Sequence, residues 1–350
     1  MNLKIFFLTF LILIINVLQA QNTETIKEEE TYRFSYSTKD ITTLSVVNKY
    51  GNIYYSGTSN DSLIIEATIK LKTPFDEDAI DIFRMININP KLLKKKLEIK
   101  TEFSGNFSSN DEFTVSYVIK GPPKTDIVFN NQFGDITLDT FSGNADITLY
   151  FGNLSAKESF SKLKLKLKNG KTDFSEIGVI NADLTNSQFF LNKTSNIEIN
   201  AELSNINIKI AGLVNAKGQT SEFTINEVDN ISVTGLQCFV KVSVIKKGGF
   251  FEVQKGNLSV NKILSTTENI SVAVTETPVL LGLESEMSHT LYGEITNGSL
   301  EHPEKQKLRL LWEGQTLSFG GEAGKVHSKD LQTAIILFSE NENVTIEYIK

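Results

Sequence analysis

A small residue returns every 17 or 18 positions through the middle of this chain, at Gly134, Gly152, Gly170, Ser187, Ser204, Ser221, Cys238 and Gly256. Two positions after each comes Ile136, Leu154, Thr172, Phe189, Ile206, Phe223, Val240 or Leu258, and two further on comes Leu138, Ala156, Phe174, Leu191, Ile208, Ile225, Val242 or Val260. A second apolar pair follows in each unit, as in Ile147 and Leu149, Leu165 and Leu167, or Ile199 and Ala201. Alternation sends these side chains to one face and Asp, Thr, Lys, Asn and Ser to the other. Such units cannot bury an apolar face alone, so they stack on their neighbours. The predicted fold is all-β, a parallel β-solenoid with two strands per coil, and right-handed winding is preferred from the usual crossover rule. A left-handed hexapeptide helix also has 18 residues per coil, but it needs apolar residues at three six-residue steps, which this chain does not show. Small residues at the phrase start are expected at a tight corner, with glycine supplying a positive φ.

The organisation around the stack follows from composition. Residues 1–20 carry one charge, Lys4, an apolar run from Ile5 to Ile15 broken only by Thr9, and Ala20 at the end, the build of a cleaved secretory signal. Residues 21–40 are polar, with Glu28, Glu29 and Glu30 in a row, and are expected to form a flexible leader. Residues 41–123 hold a first coil around Gly51 and an α+β insertion, with strands expected over 63–71, 96–103 and 113–119. Within it Ala79, Ile82, Phe83 and Ile86 recur at helical spacing behind acids that suit a helix N-terminus. The repeats fill 124–300, and 301–350 is expected to form a β-rich cap over the last coil. No later run reaches the roughly 18 apolar residues of a spanning helix, so the mature chain is expected to have no transmembrane segment and to be exported, periplasmic or at the cell surface.

The phrase Asn48-Lys49-Tyr50-Gly51-Asn52-Ile53, repeated as Asn131-Gln132-Phe133-Gly134-Asp135-Ile136 and followed by Tyr150-Phe151-Gly152-Asn153-Leu154, resembles the β-solenoid family of bacterial exported proteins labelled adhesins. The similarity covers most of residues 40–300. It implies a solenoid fold and export, and it brings no defined catalytic residue.

Chemistry-bearing constellations are sparse. Outward acids such as Asp135, Asp146, Asp173, Asp183, Glu198 and Glu222 are available for glycoside hydrolysis, but Asp146 and Asp183 sit on different coils with no matching partner two residues away, so no carboxyl pair of the kind needed is evident. His289, His302 and His327 are 13 and 25 positions apart, without zinc-site spacing, and are expected in turns or at the surface. Neither a catalytic residue, a metal ligand nor a cofactor is therefore assigned. With 35 Lys+Arg against 42 Asp+Glu the net charge is -7, which disfavours nucleic acid. Cys238, the only cysteine, stands where the series otherwise has Gly or Ser, so its smallness accounts for it.

Two features are candidates for ligand contact. Lys162, Lys164, Lys166 and Lys168 alternate with leucines and should project four ammonium groups from one strand, either as a solvated face or as a strip for acidic glycan. Tyr50, Phe133 and Phe151 each precede a phrase glycine and should stack, with core packing the preferred reading and an outward row suited to sugars the other. The expected function is an exported adhesion or binding module without catalysis, whose partner is a glycan or a cell-surface protein. A polysaccharide-active β-helix enzyme or an envelope scaffold are the alternatives.

Overall fold

The computed structural model describes residues 26–73, 76–105, 112–285, 287–324 and 333–349. The signal expected over 1–20, His327 and, as side chains, the acidic first turn of the helix lie outside the described residues. The described residues are nearly all-β, with one α-helix, Asp76–Met85, and a single continuous system of strands that does not close into a barrel. Equivalent strands of successive coils pair in parallel, one repeat apart. One inward column runs Ile136, Leu154 and Thr172, then Phe189, Ile206, Phe223, Val240, Leu258 and Val279, each beside the next. Ile136, Ile206 and Leu258 are fully buried, so this column is the dry interior that the repeat spacing requires.

Each long strand, such as Lys171–Thr185 or Asn205–Gln219, runs past a bend without losing its ladder. Inward alternation breaks at the bend, from 174 to 177 and again from 177 to 180. Ile177, Thr194, Ala211, Val228 and Ile245 thereby form a further buried column, one that strict two-residue periodicity misses. The opposite corner is tight. Its left-handed residue is the one before the phrase start, at Tyr50, Phe133, Phe151, Asn169, Asn186, Leu203, Thr220, Gln237 and Lys255, with φ between 47° and 66°.

The phrase residue is therefore not small for the sake of a positive φ, contrary to expectation. A Cβ on Gly134 would fall on the carbonyl oxygen of Gly51, and on Gly152 or Gly170 it would fall on the oxygen of the preceding phrase glycine. In the middle coils the place is taken by serine, and Ser187 and Ser204 each donate their N–H to the Oγ of the next phrase serine at 3.1 Å. The two solutions track coil length: steps of 18 residues end on Gly152, Gly170 and Gly256, and steps of 17 end on Ser187, Ser204, Ser221 and Cys238. Cys238 is buried and its Sγ–H donates to the Leu236 carbonyl, while burial pushes its thiol pKa up.

Residues 26–37, expected in a loose leader, instead form a twelve-residue strand, Ile26–Ser37, paired antiparallel along the whole of Ser62–Thr73. The expectation weighed the glutamates as disordering. In the ladder Glu29 faces water and pairs with Lys70 at 3.3 Å, while Tyr32, Phe34 and Tyr36 pack against the core on the other face, to which Glu28 and Glu30 also belong. The segment around the helix continues the stack rather than interrupting it. Lys96–Phe103 pairs parallel with Thr43–Lys49, and Glu112–Gly121 with Ile53–Gly57, so these strands cover the first coil. The helix buries Ala79 and Ile82 against this sheet.

At the other end the coil order departs from the chain order. Thr333–Glu340 lies between Asn269–Thr275 and His289–Thr296, and Val344–Ile349 between Val279–Glu284 and Leu300–Glu301. The last residues of the chain thus form an internal coil. The outer layer is made by residues 289–301 and by the hairpin of Arg309–Glu313 and Thr316–Ala323, which pairs antiparallel on His289–Thr296. The terminal cap expected over 301–350 is corrected accordingly.

Candidate binding surfaces

The strand Phe160–Lys168 buries Leu163, Leu165 and Leu167 and leaves Lys162, Lys164, Lys166 and Lys168 exposed, as alternation requires. The strip is not uniformly cationic. Lys164 pairs with Asp146 of the preceding coil at 3.5 Å, and Lys166 stands in register with Asp183 of the following one. Exposed pairs of this kind contribute at most about 1 kcal/mol, so the lysines remain free to exchange partners.

The aromatic residues do stack, but outside. Phe133 is 45% and Phe151 50% exposed, which overturns the preferred core placement. The left-handed corner turns them outward. Tyr50 lies on Phe133 at 5.4 Å and 9°, and Phe133 on Phe151 at 5.0 Å and 13°. Phe103 and Phe113 meet Tyr50 edge-on, and the Lys49 ammonium sits 4.5 Å from its ring centre. Stacking along the coil axis covers both faces of Phe133 and one face of Phe151, so the row offers edges along most of its length. A sugar needs an open face, so this row acts as a corner clamp and is a poor platform for one.

The remaining phrase residues have local roles. Asn131 donates from Nδ2 to the carbonyls of Gly51 and Gly134, both at 2.9 Å, and Asn48 does the same for Gly51 and Val115. The residue after the glycine caps the next coil. Asn52 Oδ1 accepts the Asp135 N–H at 2.8 Å, and Asp135 Oδ1 accepts the Asn153 N–H at 2.7 Å. The motif that carries the family resemblance is therefore a corner device rather than a binding site.

A concave surface that the sequence reading did not single out opens beside the lysine strip. It crosses the coils between Asp183 and Gln254, encloses about 550 Å³, and is lined by Asp183, Asn200, Glu202, Lys217, Gln219 and Glu252 among others. These side chains repeat at register positions: Lys166, Asp183, Asn200, Lys217, Thr234 and Glu252 face outward one coil apart. Asn200 Nδ2 donates to Asp183 at 2.8 Å. Beneath the groove the inward positions shrink to Ala201, Gly218 and Gly235, and a Cβ on Gly218 would meet the Phe223 ring at 2.6 Å and Cys238 Sγ at 2.7 Å. The 17-residue recurrence of Ala, Gly and Gly is the sequence signal for this surface.

The histidines are also corrected. His289 and His302 are buried, not at the surface, and their Nε2 atoms are 3.0 Å apart. His302 Nδ1 accepts the Glu304 N–H at 3.0 Å, which leaves its proton on Nε2 to donate to His289 Nε2. His289 then carries its own proton on Nδ1 and gives it to the Met287 carbonyl at 3.0 Å. Only the neutral pair satisfies all three bonds. Desolvation lowers the pKa of both, that of His302 to about 4, although Glu304 opposes the shift. Glu304 itself is held to about 2 by hydrogen bonds from Lys307 and from the Gly324 N–H. No metal-holding group of three or more ligand side chains occurs among the described residues.

No helix among the described residues is long and apolar enough to cross a membrane. No family model matches the sequence. No curated relative matches it either. Among solved structures it is similar to a candidate adhesin from Parabacteroides merdae, at 14% identity and TM-score 0.41 over 65% of this chain and 94% of that one. A second, from Bacteroides fragilis, is 12% identical with TM-score 0.39 over 91% of this chain and 97% of that one. A third, from Parabacteroides distasonis, is 10% identical with TM-score 0.39 over the same shares. Scores at this level do not establish a shared fold, so the architecture stands on the strand pairing.

Proposed function

We propose that this protein is an exported cell-envelope binding module, a right-handed solenoid that holds a glycan or a cell-surface protein in the groove over residues 183–254, without catalysis. The supporting observation is the row of ammonium, carboxylate, amide and hydroxyl groups, one per coil, along a concave face of about 550 Å³. Parallel coils set these groups about 4.8 Å apart, a regular comb of donors and acceptors suited to many weak polar contacts with a repetitive ligand. Lys166 and Lys168 at the rim add a cationic margin whose contribution falls with salt. One groove carboxylate, Asp183, is tied to Asn200, and the reading includes no chemical step.

A glycan array on the whole chain, followed by a turnover assay on any glycan retained, tests this reading. Lys217→Ala and Asn200→Ala are expected to weaken retention about tenfold or more with unchanged melting temperature, because both side chains face solvent and their loss removes charge-assisted and neutral bonds to ligand. Retention unaffected by both variants would contradict the groove. Release of reducing ends or unsaturated sugars at ordinary enzymatic rates would contradict the absence of catalysis.

A further inference from the structure

The outermost strand, Arg309–Glu313, is the last of its sheet: Asn269–Thr275, Thr333–Glu340, His289–Thr296, Thr316–Ala323 and Arg309–Glu313 follow in that order. Among the described residues its far edge has no ladder partner. All five residues are exposed, and three are large apolar side chains, Leu310 at 37%, Leu311 at 56% and Trp312 at 57%. Soluble proteins usually blunt such an edge with lysine, proline or a bulge. Here the strand carries no lysine, proline or bulge and is apolar at its centre.

We propose that this edge joins a second copy of the same chain, strand to antiparallel strand, about a two-fold axis at Leu311. The sequence Arg309-Leu310-Leu311-Trp312-Glu313 is complementary to itself in this register. Arg309 of one copy faces Glu313 of the other at both ends, Leu310 faces Trp312, and Leu311 faces Leu311. Neither Arg309 nor Glu313 has an ion-pair partner among the described residues of its own chain, so each is free to take this one. Opposite charges directly across a ladder stabilise the pair, and like charges there destabilise it.

The backbone supports the same register. Glu313 and Thr316 close the hairpin around Gly314 and Gln315, and residues that flank a two-residue turn exchange both their hydrogen bonds. Alternation then turns Leu311 and Arg309 toward the hairpin partner, and the N–H and C=O groups of Leu310 and Trp312 outward. Pairing about Leu311 sets Leu310 against Trp312 of the other copy, so the four outward groups of each strand meet their complements. Leu311 meets its counterpart as a non-hydrogen-bonded pair. On one face Leu310 and Trp312 of both copies form a single apolar cluster, and on the other the two leucines are flanked by the ion pairs. Because this strand ends the stack, the dimer is two rods joined end to end, with the ladder continuous across the axis.

Sedimentation of the whole chain over a concentration series tests the proposal, with charge exchange as the discriminating step. Arg309→Glu alone and Glu313→Arg alone each set like charges at both ends, and each is expected to weaken the dimer at least about tenfold. The double variant R309E/E313R restores opposite charges and is expected to recover most of that loss. Independently, in a Cys238→Ser background, Leu311→Cys should crosslink between copies under mild oxidation. Non-hydrogen-bonded antiparallel partners have Cα atoms about 4.5 Å apart, within reach of a disulfide. Leu310→Cys, displaced from its own counterpart by two residues, should crosslink far less. A chain monomeric at every concentration, a dimer indifferent to the charge exchange, or equal crosslinking at 310 and 311 would each overturn the proposal.

Discussion

At the scale of single residues, the glycine corners of the 18-residue coils depend on contacts that tolerate almost no change in volume. Gly152 packs so closely on the preceding phrase that a methyl group would occupy the place of the Gly134 carbonyl oxygen. Backbone cannot swing aside as a long side chain can. Gly152→Ala is therefore expected to destabilise by about 1–3 kcal/mol, the usual cost of overpacking, as read by chemical denaturation. Ile206→Asp would place an unpaired carboxylate in the dry column and should cost more than about 4 kcal/mol. Lys164→Asp, which changes an exposed group, should shift stability by less than about 1 kcal/mol in the same assay. Equal tolerance of the two would contradict the assigned faces. These faces were legible from Ile206 and Lys164 in the sequence because alternation is a local property of a strand. The direction of Phe133 and Phe151 was not, because a single left-handed residue at a corner resets the parity.

At the scale of elements, the outer coil carries a titratable joint. The His289–His302 bond exists only with both rings neutral, and burial lowers both pKa values, that of His302 to about 4. An unfolded histidine takes up its proton near pH 6.5, so between about 6.5 and 4 the unfolded chain binds protons that the folded coil refuses. The stability this pair contributes is full above pH 6.5 and falls as the pH drops toward 4. For His302 the loss approaches about 3 kcal/mol. Urea denaturation at pH 7.5, 5.5 and 4.5 should show this decline, and His302→Gln should flatten it. A midpoint unchanged from pH 7.5 to 4.5 would count against the neutral pair. Nothing local announced this joint, since residues 13 apart in an irregular stretch meet only through the packing of Tyr348 and the last coil. The strand Ile26–Ser37 was missed for a similar reason: its glutamates read as solvating until Ser62–Thr73 supplies a ladder and basic neighbours.

At the scale of the whole molecule, every coil repeats the same bargain between an apolar interior and a polar shell, so the regular part of the stack was readable from spacing alone. Coil order at the end was not, because insertion of Thr333–Glu340 between two earlier coils depends on which edge fits it and leaves no periodic trace. The parallel register makes distances along the rod a matter of counting. Lys164, Asn181, Glu198, Asn215, Ser232, Phe250 and Ser271 occupy successive coils. Six steps of about 4.8 Å place Lys164 and Ser271 roughly 29 Å apart. The next two positions are Ile336 and then Tyr292, in the reverse of chain order. Pulsed electron resonance between spin labels at 164 and 271, in a Cys238→Ser background, measures the first distance directly. The stacked register predicts a narrow distribution centred near 29 Å, and a broad one, or a centre displaced by more than two coil spacings, would contradict it.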